Sequence, residues 1–457
     1  MFKMDRENKI EMLHGSITRK LLLYAIPIAA SSIIQQLFNA TDVAVVGKFA
    51  GKDALAAVGS NSPITALFIN IFVGLAVGAN VVIAHYIGQQ REKEINEVVH
   101  TVLKFAIICG AVVLVGGQFV ARPILRLINT PADVIGDASL YLKIYFLGLP
   151  AGIIFNFGSA ILRSVGDTKR PMLCLIISGV INVILNLLFV IGFDMGVSGV
   201  AIATAVANYV SAFLVLGILM REKGILNFSP ARLKINGVHL YRVIAIGVPA
   251  SLQSAVFCLS NIVIQSGINS FGADAIAGSA TGLNFEYIAY FVANAFAQAV
   301  ITFTSQNYGA GKMDRCISTV RVGLVEGMLI TSCVSAVFAL FATPLVGIFS
   351  SNHEVIKYAV SRIRHVTLLE ALVCLYEVPG GAMRGMGHSL KPAIYTVLGS
   401  VCFRIIWMYT VFEKWRSFET LVGVYPVSWL VTTSMVLTSY ILLKRKIVKK
   451  EMDQQCE

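Results

Sequence analysis

Runs of about twenty apolar residues recur from Leu21 to Leu443, and each is long enough to cross a bilayer as a helix. That recurrence decides the fold class. Of the 457 residues only 14% are charged, and the mean hydropathy is +0.75; a soluble chain of this length is about a quarter charged. The alternating segments of about ten residues that mark a membrane β-barrel are absent. The chain therefore reads as an all-α integral membrane protein with twelve transmembrane helices. They are expected at roughly 18–47, 54–84, 98–121, 135–162, 170–192, 196–220, 241–270, 276–306, 317–341, 355–383, 392–412 and 419–443.

The formal net charge of +12 does not point to nucleic acid, because the basic residues gather in short loops and at both ends, as in the run Lys444 to Lys450. Of 37 Lys and Arg, 25 fall on the side of the termini and 7 in the opposite loops. Basic residues are retained on the cytoplasmic side, so both termini are expected there, in a cell membrane. The cysteines lie mostly within apolar stretches and without metal-ligand spacing, and read as small buried hydrophobes. The first twenty residues mix charges and do not read as a secretory signal peptide. The expected organisation is a cytoplasmic tail 1–17, a bundle 18–220, a cytoplasmic linker 221–240, a second bundle 241–443 and a basic tail 444–457.

The two bundles are copies. The end of helix four, "LRSVGDTKRP" from Leu162, and the end of helix ten, "MRGMGHSLKP" from Met383, are related by an offset of 221 residues. The same offset pairs Gly166 with Gly387, Pro171 with Pro392, Gly51 with Gly272 and Gly88 with Gly309, and Pro27 matches Pro249 one residue further on. Each copy has an even number of helices, so the repeats are parallel, related by an axis along the membrane normal. Secondary transporters commonly use such an arrangement to alternate access.

Asp42 is the only charged residue between Leu21 and Lys48, and a carboxylate at a membrane helix centre costs about 2.5–3.5 kcal/mol. Ser32, Gln35, Asn39 and Asp42 follow at spacings that put them on one helical face, which should look into the bundle or a water-filled cavity. Arg19 to Asp42 is about 34 Å of helix, so Asp42 belongs in the outer half of the membrane. Desolvation disfavours the charged form of a carboxylate, which suits a group that takes a proton on one side and releases it on the other. The alternative is a structural acceptor capped by neighbouring donors. Asn182 and Asn186, four apart on helix five, and Thr204 on helix six could complete the same polar pocket, or could simply link helices.

The ordered motifs "IPIAASSIIQQLFNATDVAVVGKFAGKDALAAVG", "IGQQREKE", "LRSVGDTKRP", "NVILNLLFVIGFDMGVSGVAIAT", "SQNYGAGKMDR" and "GAMRGMGHSLKP" resemble the multidrug and toxic compound extrusion (MATE) family, from about residue 16 to 445. The resemblance implies two six-helix bundles forming a V around a central cavity. It also implies export of amphipathic, often cationic compounds driven by protons or sodium ions. Asp42 matches the family's first-helix aspartate. The position of Asn186 is often a second aspartate in proton-coupled relatives, and its being asparagine here leaves Asp42 as the one obvious buried carboxylate of the first copy.

The duplicate of Asp42 falls at Val263 or Ile264. The second copy instead holds Glu286, which resembles a glutamate recurrent in relatives, and Glu326, Glu370 and Glu377. Clustered carboxylates could hold sodium, or one of them could serve as counter-ion to Arg404 at a cost in desolvation. Arg163 and Arg384, ending helices four and ten, are expected to bond free helix carbonyls. Phe38, Phe68, Tyr145, Phe155, Tyr287, Tyr290, Phe291 and Met383 could line a substrate cavity with cation–π contacts, or pack the core. No GxxxxGK[ST], HExxH or GxSxG occurs, so neither ATP hydrolysis nor another enzyme chemistry is expected. No cofactor is expected beyond a proton or sodium ion. The expected partners are small amphipathic or cationic molecules and membrane lipid, with the chain a monomer. A lipid-linked oligosaccharide flippase of the same superfamily and a non-transporting receptor or subunit are the competing readings.

Overall fold

The computed structural model describes residues 9–128 and 130–456; residues 1–8 of the expected tail 1–17, and residue 457, lie outside the described residues. Twelve helices are long and apolar enough to cross a membrane. They are α1 Ile17–Ala50, α2 Ala54–Gly88, α3 Glu92–Leu127, α4 Ile135–Ser164, α5 Lys169–Gly192 and α6 Gly196–Arg221, then α7 Gly237–Asn269, α8 Ala273–Gly309, α9 Met313–Leu340, α10 His353–Gly385, α11 Leu390–Phe412 and α12 Phe418–Lys449. No strand occurs among the described residues. Every expected helix is present. The ends extend past the apolar window, most clearly at α3, which begins six residues earlier than hydropathy alone places it. There Glu92 and Glu94 occupy the first turn, where carboxylates favour the positive end of the helix.

The duplication is visible in the backbone. After α4, Gly166 has φ +89°; its N–H donates to Arg163 O at 3.0 Å, and the Asp167 N–H donates to Leu162 O at 3.1 Å. After α10, Gly387 has φ +85°, with the same two bonds to Arg384 O at 2.9 Å and from His388 to Met383 O at 2.8 Å. These are left-handed helix ends that glycine enters without a Cβ penalty. Gly51 and Gly272, both at φ +89°, turn the chain into α2 and α8 alike.

By contacts the chain divides into two compact units. The first takes the described residues of Met1–Glu11 and Ala30–Ser251, and the second those of Met12–Ala29 and Leu252–Glu457. Expected boundaries at 18–220 and 241–443 kept α1 and α7 whole. The contacts instead divide each helix just after its internal proline, Pro27 or Pro249, where the ring removes a backbone donor and loosens the helix. The expected linker 221–240 is built into the first unit. The Ser229 N–H donates to His100 Nε2 at 3.1 Å, and the Asn236 N–H to Thr101 Oγ1 at 3.1 Å.

Within each unit small residues let backbones approach, as membrane helices require when lipid is as apolar as their side chains. In the first unit Gly148 of α4 lies against Ala205 of α6, and Gly158 against Val215. In the second, Gly381 and Gly385 of α10 lie against the carbonyls of Ala297 and Ile301 on α8.

The two glycine turns differ in one respect that can be tested. The Ile10 backbone closes over Gly166, so that a Cβ there would stand 2.7 Å from Ile10 N, whereas nothing lies within 4 Å of a Cβ on Gly387. Alanine at either position meets the left-handed penalty of about 1–2 kcal/mol. Gly166→Ala should therefore lower the thermal unfolding midpoint in detergent further than Gly387→Ala, read by intrinsic fluorescence. Equal losses would show that the Ile10 contact contributes nothing.

Candidate functional site

The first unit gathers Asp42 of α1, Asn182 and Asn186 of α5 and Thr204 of α6 into a closed hydrogen-bonded ring. Asn186 Nδ2 donates to Asp42 Oδ1 and, at 3.2 Å, to Asn182 Oδ1. Asn182 Nδ2 faces Thr204 Oγ1 at 3.4 Å, and Thr204 Oγ1 faces Asp42 Oδ2 at 3.5 Å. The local sequence explains how α1 and α5 come close enough. Gly179, Asn182 and Asn186 share one face of α5 at spacings of three and four. The ring of Phe38, one turn before Asp42, fills the space where a Gly179 side chain would stand. The aromatic contact and the polar contact are thus successive rungs of one helix pair.

Among the described residues no cation pairs with Asp42; its partners are all neutral. Asn186 is fully buried and its Oδ1 has no hydrogen-bond partner. Gln35 and Asn39 lie on α1 as expected but are exposed and outside the ring.

The acidic residues of the second unit are arranged differently. Glu286 of α8 pairs with Arg362 of α10 at 2.9 Å, and Arg362 Nη1 also donates to Ser279 Oγ at 2.8 Å. Glu377 pairs with Arg384 at 3.5 Å, and Arg384 Nη2 donates to Gln253 Oε1 at 2.8 Å. Arg384 therefore does not act on free helix carbonyls as expected; a carboxylate two turns back and an amide on α7 hold it. Arg404, 1% exposed, also departs from expectation. Among the described residues it pairs with no carboxylate. Its Nε donates to Ser428 Oγ at 3.1 Å, and its guanidinium lies 4.8 Å from the Phe257 ring centre and 4.5 Å from that of Tyr425. Aromatic faces can carry a desolvated guanidinium in this way. Glu370 is 2% exposed, and its Oε2 has no hydrogen-bond partner. The counter-ion Arg362 was not singled out in the sequence, although its place in an apolar stretch carrying Arg362 and Arg364 was the available signal.

The aromatic candidates divide by burial. Phe38, Phe155, Tyr287 and Tyr290 are half-buried, and Tyr287 stacks on Phe291 with ring centres 6.0 Å apart. Asn294 Nδ2 faces the Tyr290 hydroxyl at 3.4 Å. Tyr145 is buried against Tyr141, and Met383 is fully buried. Met383 thus packs the interior of the second unit instead of lining an open cavity.

The sequence profile of the MatE family matches residues 27–188 and again 249–410, two stretches related as Pro27 is to Pro249. A probable multidrug resistance protein of Bacillus subtilis (strain 168), YoeA, is 28% identical over 94% of this chain and 95% of its own. An FAD transporter of Shewanella oneidensis is 25% identical over 76% of this chain and 77% of its own. The solved structure of a MATE protein in complex with MaL6 superposes with a TM-score of 0.91, covering 97% of this chain and 100% of that one at 19% identity. A twelve-helix duplicated fold with a family match across both copies assigns the chain: it belongs to the MatE family, and is a membrane transporter, not an enzyme.

Proposed function

We propose that this transporter exports amphipathic, cationic organic compounds in exchange for protons, with Asp42 as the coupling carboxylate and both termini in the cytoplasm. The observation that carries the reading is the ring around Asp42, in which a membrane-embedded carboxylate has neutral hydrogen-bond partners only. A fixed cation beside it would hold it ionised; amides and a hydroxyl leave both protonation states accessible. The unpartnered Asn186 Oδ1 adds to this. Turning the amide over presents an acceptor to a protonated Asp42, as the present orientation presents a donor to the carboxylate.

Sodium fits less well. It would need several free oxygen ligands, and in the second unit Glu286 and Glu377 are already neutralised by Arg362 and Arg384. The substrate class rests on the site, since relatives bear names as different as multidrug resistance protein and FAD transporter. An acidic ring one helical turn from Phe38 suits a cation with an apolar body. The excess of Lys and Arg in the terminal-side loops supports the orientation.

In proteoliposomes a pH gradient alone should drive uptake of a cationic dye, a sodium gradient alone should not, and Asp42→Asn should reduce gradient-driven uptake to that of empty liposomes while Glu370→Gln retains it. Sodium-driven uptake that survives Asp42→Asn would refute the proposal and turn attention to Glu370. The helix pair offers a second check. Gly179→Ala overpacks the contact with Phe38 at a cost of about 1–3 kcal/mol and should impair uptake, and adding Phe38→Ala should restore part of it. No recovery in the double variant would mean that the Phe38 rung does not position Asp42.

A further inference from the structure

The two copies of one loop treat a conserved-in-place cation oppositely. In the first unit Asp167, Arg170 and Glu222 form a buried cluster. Arg170 Nε donates to Asp167, Arg170 Nη1 donates to Glu222 Oε2 at 2.9 Å, and Lys9 donates to Glu222 Oε1. Burial alone would raise the Glu222 carboxyl, but the hydrogen bonds and charges of Lys9 and Arg170 outweigh it and hold it below the usual carboxylate range. The 221-residue offset carries Asp167 to His388, Arg170 to Lys391 and Glu222 to Leu443. The cation is kept and both anions are gone. Among the described residues Lys391 forms no ion pair.

Beside Lys391 the surface opens into a groove of about 400 Å³ between α11 and α12. Lys391 and Tyr395, four apart, form one wall, and Ser434, Met435, Thr438, Ser439 and Leu442 the other. Lys446 continues the stripe Ser434, Thr438, Leu442 at four-residue spacing, about 12 Å along α12 from Thr438. Among the described residues the hydroxyls of Tyr395 and Thr438 make no hydrogen bond. The field here is positive: burial and then the charges of Lys391 and Lys446 hold the His388 imidazole below its usual range. Leu390, Ile394 and Leu398 on α11 and Leu430 and Ile441 on α12 are exposed, so this side of the pair faces hydrocarbon.

We infer that the groove between α11 and α12 binds an anionic phospholipid, whose phosphate takes the place that Asp167 and Glu222 fill in the first unit. Lys391 and Lys446 supply the charge, and Tyr395 and Thr438 can donate to the phosphate oxygens. Met435, deeper along α12 than Thr438, offers an apolar wall for the upper acyl chain. Basic pockets between transmembrane helices bind lipid headgroups in this way. The lipid-facing position selects a bilayer component over a free anion.

The experiment is native mass spectrometry of the purified full-length protein with phosphatidylglycerol or phosphatidylcholine. Phosphatidylglycerol should be retained about 30-fold more tightly, given about 5-fold per surface lysine. Lys391→Ala/Lys446→Ala should remove that preference, and Lys391→Arg/Lys446→Arg should keep it, which separates lost charge from lost fold. Lys444→Ala/Arg445→Ala, off the stripe at the same helix end, should leave most of the preference in place, because those side chains do not face the groove. Inorganic phosphate in large excess should not displace the lipid. The inference is overturned if phosphatidylcholine binds equally, if the groove variant keeps the preference, if the off-stripe variant loses as much, or if phosphate displaces the lipid.

Discussion

Hydrocarbon contains no water to replace a lost hydrogen bond, so every polar group carried into it must find its partner in protein. This constraint governs both units. Backbone groups are satisfied by the helices themselves, and most of the buried charges described above meet one of two devices, while Glu370 Oε2 has no partner. The first unit surrounds Asp42 with amides and a hydroxyl. The second neutralises Glu286 and Glu377 with guanidinium groups and lays Arg404 between aromatic rings. The devices differ in kind. Glu286 and Glu377 each face a fixed cation, while Asp42 faces neutral donors only.

Departures from α-helical geometry sit beside these groups. The last turn of α1, Val46–Ala50, and the last of α5, Leu188–Gly192, are wide π-turns that follow Asp42 and Asn186 within a few residues. Glu370 lies on a tight 3₁₀ stretch, Thr367–Val373, and Arg404 follows a π-turn, Val397–Cys402. Such turns often mark functional positions in helices. Here they also shift the register by which side chains beyond them meet their neighbours.

That shift explains which parts of the molecule were legible in the sequence. Helix number, type and approximate ends follow from hydropathy, because lipid tolerates little else. The ring of Asp42, Asn182, Asn186 and Thr204 follows from helical spacing and the penalty on a lone carboxylate. What spacing could not show was pairing between helices. Arg404 was expected against a glutamate, but pairing depends on how α7, α11 and α12 pack, and that packing offers it Phe257, Ser428 and Tyr425. The division of α1 and α7 between units escaped for a related reason: Pro27 and Pro249 are visible as residues, but a proline does not say which bundle each half of its helix joins. Met383 reads as a flexible apolar residue, and its complete burial depends on helix packing that its own stretch of sequence does not display.

The duplication separates what the fold needs from what the function uses. The left-handed turns at Gly166 and Gly387, and at Gly51 and Gly272, agree to within a few degrees in φ, because the same helix must end or begin in each copy. Side chains at equivalent places have parted. Asp42 has an apolar counterpart, and Asp167, Arg170 and Glu222 stand where His388, Lys391 and Leu443 stand. A backbone turn repeated in both copies is therefore explained by chain geometry, which any duplicate inherits. A charge present in one copy and absent from the other has no such explanation, since the turn forms without it. Chemistry specific to this transporter is to be sought where the copies disagree: at Asp42, in the paired glutamates of the second unit, and at the lysine left without its carboxylates.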